Sequence, residues 1–215
     1  MVVFLIGIGA LITILADLKG DFRLLLIYKP LTTVLILLLA WMGGPVTDRY
    51  RNLLCLGLIC SLAGDIFLLW KDRFFLPGLV SFLLAHILYS LAFLTGRKVR
   101  VRGTVIPYLI YGGVIYGLLF PGLGGLRWPV LGYVLVILFM AWQALERKRW
   151  RPEVGSWAAL GALLFVVSDS CLAWNRFRSP LPVAPLLVLG TYYLAQTLLA
   201  LSVRREANLS RETAG

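Results

Sequence analysis

Apolar runs close to the length of a bilayer crossing recur along these 215 residues, and little else in the sequence limits the fold as strongly. A helix rising 1.5 Å per residue needs about 20 mostly apolar residues to cross roughly 30 Å of hydrocarbon. Eight stretches approach that length, roughly 2–16, 24–42, 53–70, 74–95, 104–121, 128–145, 156–174 and 180–203. The first is short and is expected to continue past Asp17. No segment reads as a separate soluble domain, so residues 1–215 are expected to form one transmembrane domain. The fold class is therefore an all-α integral membrane protein, a bundle of about eight transmembrane helices. Composition agrees: 60% of residues are hydrophobic and 14% charged, against about 45–50% and 25% in soluble domains.

The net charge of +11 raises the question of a nucleic-acid partner, but almost every Lys and Arg falls in a short gap between apolar runs. That placement sets orientation and meets anionic lipid headgroups, so membrane lipids are the expected partner and nucleic acid is not. With the N-terminus inside, the cytoplasmic gaps hold 13 basic residues: Arg49, Arg51, Arg97, Lys98, Arg100, Arg102, Arg147, Lys148, Arg149, Arg151, Arg204, Arg205 and Arg211. The other side holds 7: Lys19, Arg23, Lys71, Arg73, Arg127, Arg176 and Arg178. Both termini are thus expected in the cytoplasm, for a protein of a bacterial inner membrane. Met1-Val2-Val3-Phe4 lacks a basic n-region, so the first run reads as a retained helix and not a cleaved signal. Cys55, Cys60 and Cys171 sit inside apolar runs, without disulfide or zinc spacing, and read as small buried hydrophobes. His86 is the only histidine, which rules out a centre built on several imidazoles.

An ionisable side chain inside the hydrocarbon costs at least about 2.5–3.5 kcal/mol, so such groups face a protein interior or a wet cavity and usually have a partner. Asp65 lies two thirds along the third span, one turn after Ser61. Asp169 lies at similar depth in the seventh, after Ser168. Both helices run outward, so both carboxyls belong to the outer half of the bundle. Gly64-Asp65 through Phe74 echoes Ser168-Asp169 through Phe177, with Leu, Trp, Arg and Phe in register after a one-residue gap. Tyr89 and Tyr192 then correspond, as two like-oriented four-helix repeats would arrange them.

Three further groups join the candidate site. Lys29, followed by Pro30, Thr32 and Thr33, either snorkels to headgroups or serves as a counter-charge or phosphate ligand. His86, with Tyr89 and Ser90 on its face, is a packing histidine or a proton relay. Gln196, a turn after Tyr192 and Tyr193, reads as interhelical glue or as a site residue. Gly113 and Gly117 suit close helix packing. Trp41, Trp70, Trp128 and Trp174 fall at span ends, as interfacial anchors do. Tyr108 and Tyr111 share a face that could be core.

Taken in order, Lys29-Pro30-Leu31-Thr32-Thr33, Ser61-Leu62-Ala63-Gly64-Asp65, Gly78-x3-Phe82-x3-His86-x2-Tyr89, Ser168-Asp169 and Tyr193-x2-Gln196 resemble the motifs of the lysoplasmalogenase-like (YhhN) family of polytopic membrane proteins. The resemblance runs from the second to the eighth helix. It implies a hydrolase of the vinyl ether bond in lysoplasmalogens, releasing a fatty aldehyde and a glycerophospho-base, with a lysophospholipid-type substrate. Such hydrolysis protonates the β carbon and leaves an oxocarbenium ion that water attacks. It needs a carboxylic acid kept protonated near neutral pH and a second group to stabilise positive charge or activate water; no metal or cofactor is required. Asp65 and Asp169 are expected to divide these tasks, with Lys29 reaching the phosphate and Ser61, His86, Tyr89, Ser168, Tyr193 and Gln196 supporting. The rival reading is a small transporter or lipid-binding protein using the same acids for a proton or cation.

Overall fold

The computed structural model describes residues 1–44, 48–96 and 103–212, with side chains through Arg205. Eight α-helices follow one another: α1 Val2–Lys19, α2 Phe22–Trp41, α3 Arg49–Phe67, α4 Lys71–Phe93, α5 Ile106–Leu119, α6 Arg127–Trp150, α7 Pro152–Phe177 and α8 Ala184–Glu212. No strand occurs among the described residues. Arg97, Lys98, Arg100 and Arg102, counted above for orientation, lie outside the described residues, as does the side chain of Arg211.

Seven helical stretches among the described residues are long and apolar enough to cross a membrane, and one of them, Arg49–Phe93, has 45 residues. Run straight, it would reach about 67 Å, twice the hydrocarbon thickness. It folds back instead. A 3-10 turn over Leu68–Trp70 is followed by non-helical backbone at Trp70 (φ −112°, ψ 54°) and Phe74 (φ −118°, ψ 25°). Beyond it α4 lies antiparallel on α3, with Gly57 and Ser61 against Tyr89 and Gly64 against Phe82. The stretch therefore makes two crossings, and the described residues make eight.

Short caps end the helices where the sequence supplies them. Gly20 takes the left-handed conformation (φ 69°) that closes α1, and the Asp21 side chain then accepts from the amides of Arg23 and Leu24 to start α2. Asp48 caps α3 through the Tyr50 amide at 2.9 Å. Several expected boundaries move. α8 begins at Ala184 and not at 180, because Pro180 and Pro182 lack the N–H of a helix and push their preceding residues towards extended backbone. α3 begins four residues earlier than expected, and α6 continues to Trp150.

That extension corrects the loop assignment of Arg147, Lys148 and Arg149, which form the last turn of α6. Arg147 is only 1% exposed, its guanidinium 4.2 Å from the centre of the Tyr50 ring. Arg51, likewise 1% exposed, belongs to α3, stacks on Trp41 and donates from Nε to the Trp41 carbonyl at 2.9 Å. Long aliphatic stems and a flat, weakly hydrated guanidinium let arginine pack at a helix end.

The packing of the two halves is alike. α1 packs on α2, α2 on α3 and α3 on α4; α5 packs on α6, α6 on α7 and α7 on α8; the halves join through α2 with α8 and, equivalently, α6 with α4. Glycine makes the matching close approaches. A Cβ at Gly57 would stand 2.3 Å from the Tyr89 ring, and one at Gly161 would stand 2.9 Å from the Ala195 carbonyl oxygen. Gly57 precedes Asp65 by the interval at which Gly161 precedes Asp169. The outward faces, among them Leu109, Ile110 and Val114 of α5, are exposed and apolar, as lipid chains require.

Candidate active site

Asp65 sits near the C-terminal end of α3 and is 1% exposed. Its Oδ2 accepts 2.6 Å hydrogen bonds from the hydroxyls of Thr33 on α2 and Tyr192 on α8. Its Oδ1 lies 3.7 Å from Nζ of Lys29. Lys29, 8% exposed, therefore turns inward as a counter-charge and does not snorkel. Its backbone carbonyl accepts from Tyr193 at 3.3 Å, which fixes α2 against α8 just before Pro30. Both Asp65 oxygens are committed, as a buried carboxylate requires.

Asp169, in the equivalent place on α7, is held differently. Tyr133 of α6 donates a short hydrogen bond to Oδ2, and His86 Nε2 of α4 reaches the same oxygen at 3.2 Å and the Tyr133 hydroxyl oxygen at 2.9 Å. With the Tyr133 hydrogen given to Asp169, His86 must carry its hydrogen on Nε2 to meet both neighbours. Phe165 lies edge-on to the imidazole, with ring centres 4.6 Å apart, and the histidine is 0% exposed. Among the described residues Oδ1 of Asp169 has no partner, and the side chain remains 14% exposed.

The two clusters share one plan. Each acid stands on the third helix of its half and takes one donor from the second helix of its own half. Each takes another from the fourth helix of the other half: Thr33 and Tyr192 for Asp65, Tyr133 and His86 for Asp169. They differ in charge, since only Asp65 has a lysine.

Both acids open onto one cavity of about 570 Å³ at the end of the bundle where α1, α3 and α7 finish and α2, α4 and α8 begin. That volume suits a small-molecule ligand. Its wall includes Lys29, Asp65, Ser168, Asp169 and Tyr192, with Asp17, Lys71, Asn175 and Arg176 also lining it. A narrow apolar cleft of about 60 Å³ between α4, α5, α6 and α7 shares Leu68, Phe75, Phe82, Leu172 and Asp169 with this cavity. Asp169 thus stands at the junction of a charged chamber and an apolar slot. Tyr111, on the cleft wall, bonds Ser170 at 2.8 Å.

Of the residues singled out from sequence, Lys29, Asp65, Ser168 and Asp169 come together around the cavity. His86 stands behind Asp169. Ser61 and Gln196 meet at the Tyr89 hydroxyl, at 3.1 and 2.9 Å, in the packed centre away from the cavity. Tyr193 acts through the Lys29 carbonyl, and Ser168 bonds the Val188 carbonyl at 2.9 Å. Sequence reasoning missed Tyr133, and took Tyr192 as a repeat marker and Thr33 as part of a motif when both are donors to an acid. A hydroxyl inside a span was the only signal they gave. Among the described residues no three His, Cys, Asp or Glu side chains converge on a metal site.

Eight apolar crossings around an internal carboxyl-lined cavity define an integral membrane protein with a buried polar site. The chain belongs to the YhhN family, whose model matches residues 24–203. It is 37% identical over 174 residues to the Bos taurus protein named lysoplasmalogenase TMEM86A, covering 78% of this chain and 72% of that one. It is 37% identical over 166 residues to the Homo sapiens lysoplasmalogenase TMEM86B, covering 77% and 69%. With the Escherichia coli O157:H7 protein named uncharacterized membrane protein YhhN it shares 27% identity over 179 residues, 82% of this chain and 86% of that one. No solved structure matches the chain.

Proposed function

We propose that this protein hydrolyses the vinyl ether bond of lysoplasmalogens in a bacterial inner membrane, both termini cytoplasmic, yielding a fatty aldehyde and a glycerophospho-base. The observation that carries the reading is the position of Asp169, where a charged chamber fit for a headgroup meets an apolar cleft with room for the first carbons of an alkenyl chain. A single-chain lipid laid across that junction has its ether bond beside the carboxyl. Kinship with proteins named lysoplasmalogenases supports the same chemistry.

The roles divide by the commitments of the two acids. Asp169, protonated on Oδ1, gives its proton to the β carbon of the vinyl ether, and the ether oxygen's electrons form the oxocarbenium ion. Tyr133 and His86 hold Oδ2 and stabilise the carboxylate left behind. Asp65, 3.7 Å from the Lys29 ammonium, stabilises the positive charge across the cavity. Water then adds to the oxocarbenium carbon and returns a proton to Asp169. The hemiacetal breaks into aldehyde and alcohol, so one water is consumed per bond cleaved. Proton transfer of this kind contributes about 10²–10⁴ in rate.

The test is aldehyde release from a defined lysoplasmalogen by the protein purified in detergent. Loss of vinyl ether matched by aldehyde is expected. Intact substrate after incubation with folded protein overturns the reading and leaves proton or cation binding by the same acids as the function to measure.

A further inference from the structure

Two charges on the cavity wall are neither used by the chemistry above nor paired with another side chain among the described residues. Asp17 lies on the inner face of α1, one turn beyond the fully buried Thr13 and beside the buried Ala16. Lys71 opens α4 on the same cavity. Neither has an ion-pair partner among the described residues, and they do not pair with each other. The other wall charges are engaged: Lys29 with Asp65, Asp169 with Tyr133 and His86, and Arg176 with the exposed Asp72 at 3.1 Å. A cavity that keeps one uncompensated negative and one uncompensated positive charge on separate walls complements a ligand carrying both signs. An unpaired carboxylate in such a site gains most from an ammonium, and a lysine from an anion with several acceptor oxygens.

The geometry points to a zwitterion subsite: Asp17 receives the ammonium of a phospho-amino-alcohol headgroup, and Lys71 receives the phosphate. The inference rests on the proposed function for the identity of the ligand as a single-chain lipid. It assigns headgroup selection to α1, which lies before the family-matched residues 24–203 and whose Ala16, Asp17 and Gly20 complete the wall. Asp17 is therefore a specificity-determining residue of this cavity.

The experiment measures binding, so that it stands apart from catalysis. Two uncleavable 1-alkyl lysolipids are titrated into the full chain in detergent by calorimetry, one a glycerophosphocholine and the other a glycerophosphate without the amine. Wild type is expected to prefer the choline lipid, and Asp17→Asn to lower that preference about tenfold, the scale of one close charge pair. Asp17→Lys is expected to invert it in favour of the glycerophosphate lipid, a gain that misfolding cannot imitate. Lys71→Gln should weaken both ligands. Free glycerophosphocholine should bind more weakly than its alkyl lipid, because the apolar cleft stays unfilled; equal affinities would overturn a lipid as the ligand. An unchanged choline preference in both Asp17 variants would overturn the subsite, even if aldehyde release had already established the hydrolase. Conversely, a headgroup preference without aldehyde release would sink the hydrolase alone.

Discussion

Asp65→Asn and Asp169→Asn each remove one carboxyl from equivalent helices, yet the two variants are expected to diverge in stability. Asn at 65 leaves the Lys29 ammonium, 8% exposed, without the charge it faces at 3.7 Å. Removing one member of a buried ion pair costs about 3–5 kcal/mol, because the remaining charge stays desolvated. Asn at 169 strands no cation. Its carboxamide oxygen can still accept from Tyr133 and His86, so the loss should be near 1 kcal/mol, the worth of a weakened hydrogen bond. Activity should move the other way: per folded molecule, Asp169→Asn is expected to lose about 10²–10⁴ in rate, since no proton can be delivered. Thermal unfolding in detergent reads the first effect, and aldehyde release normalised to folded protein reads the second. The double variant Lys29→Met with Asp65→Asn should regain part of the stability lost at 65, exposing a coupling of about 2–3 kcal/mol. Equal melting losses at both positions, or an active Asp169→Asn, would refute this division of labour.

Tyr133→Phe and His86→Gln should each slow hydrolysis less than Asp169→Asn, about tenfold, because one donor to Oδ2 survives; wild-type rates in both would place these residues outside the mechanism. Gly57→Val should destabilise by about 1–3 kcal/mol, since even a Cβ would stand 2.3 Å from the Tyr89 ring, and unfolding in detergent will record it. Reporter fusions after α8 should read the C-terminus as cytoplasmic, given 13 basic residues on that side against 7. An external reporter would reverse the orientation of the cavity.

The crossings and the charged site residues were legible because the bilayer imposes a length and makes each charge expensive. Asp65, Asp169 and Lys29 stand out in apolar runs for that reason alone. Their partners did not. In a soluble helix an apolar stripe tells which face turns inward, but here the lipid-facing and core-facing sides are both apolar. No period in α6 or α8 therefore marks Tyr133 or Tyr192 as inward. A tyrosine hydroxyl is cheap enough in a span to pass for packing. Arg51 and Arg147 misled in the opposite sense: their charge suggested a loop, while their stems and flat heads pack at helix ends. The repeat was visible around the acids. Its extension to Gly57 and Gly161 follows the same interval, but glycine is too common in spans to announce it.

The parallel relation of the two halves makes any lipid chemistry here one-sided. α3 and α7 run in the same direction, so their acids arrive at one depth and share one cavity at one end of the bundle. Halves inverted relative to each other would have carried the second acid to the opposite face. A lipid reaching Asp169 must therefore come from the leaflet that borders the cavity. Substrate formed in the other leaflet becomes available only as fast as it crosses the bilayer, so in vesicles loaded on both sides hydrolysis should stall near the accessible half until slow transverse exchange supplies the rest.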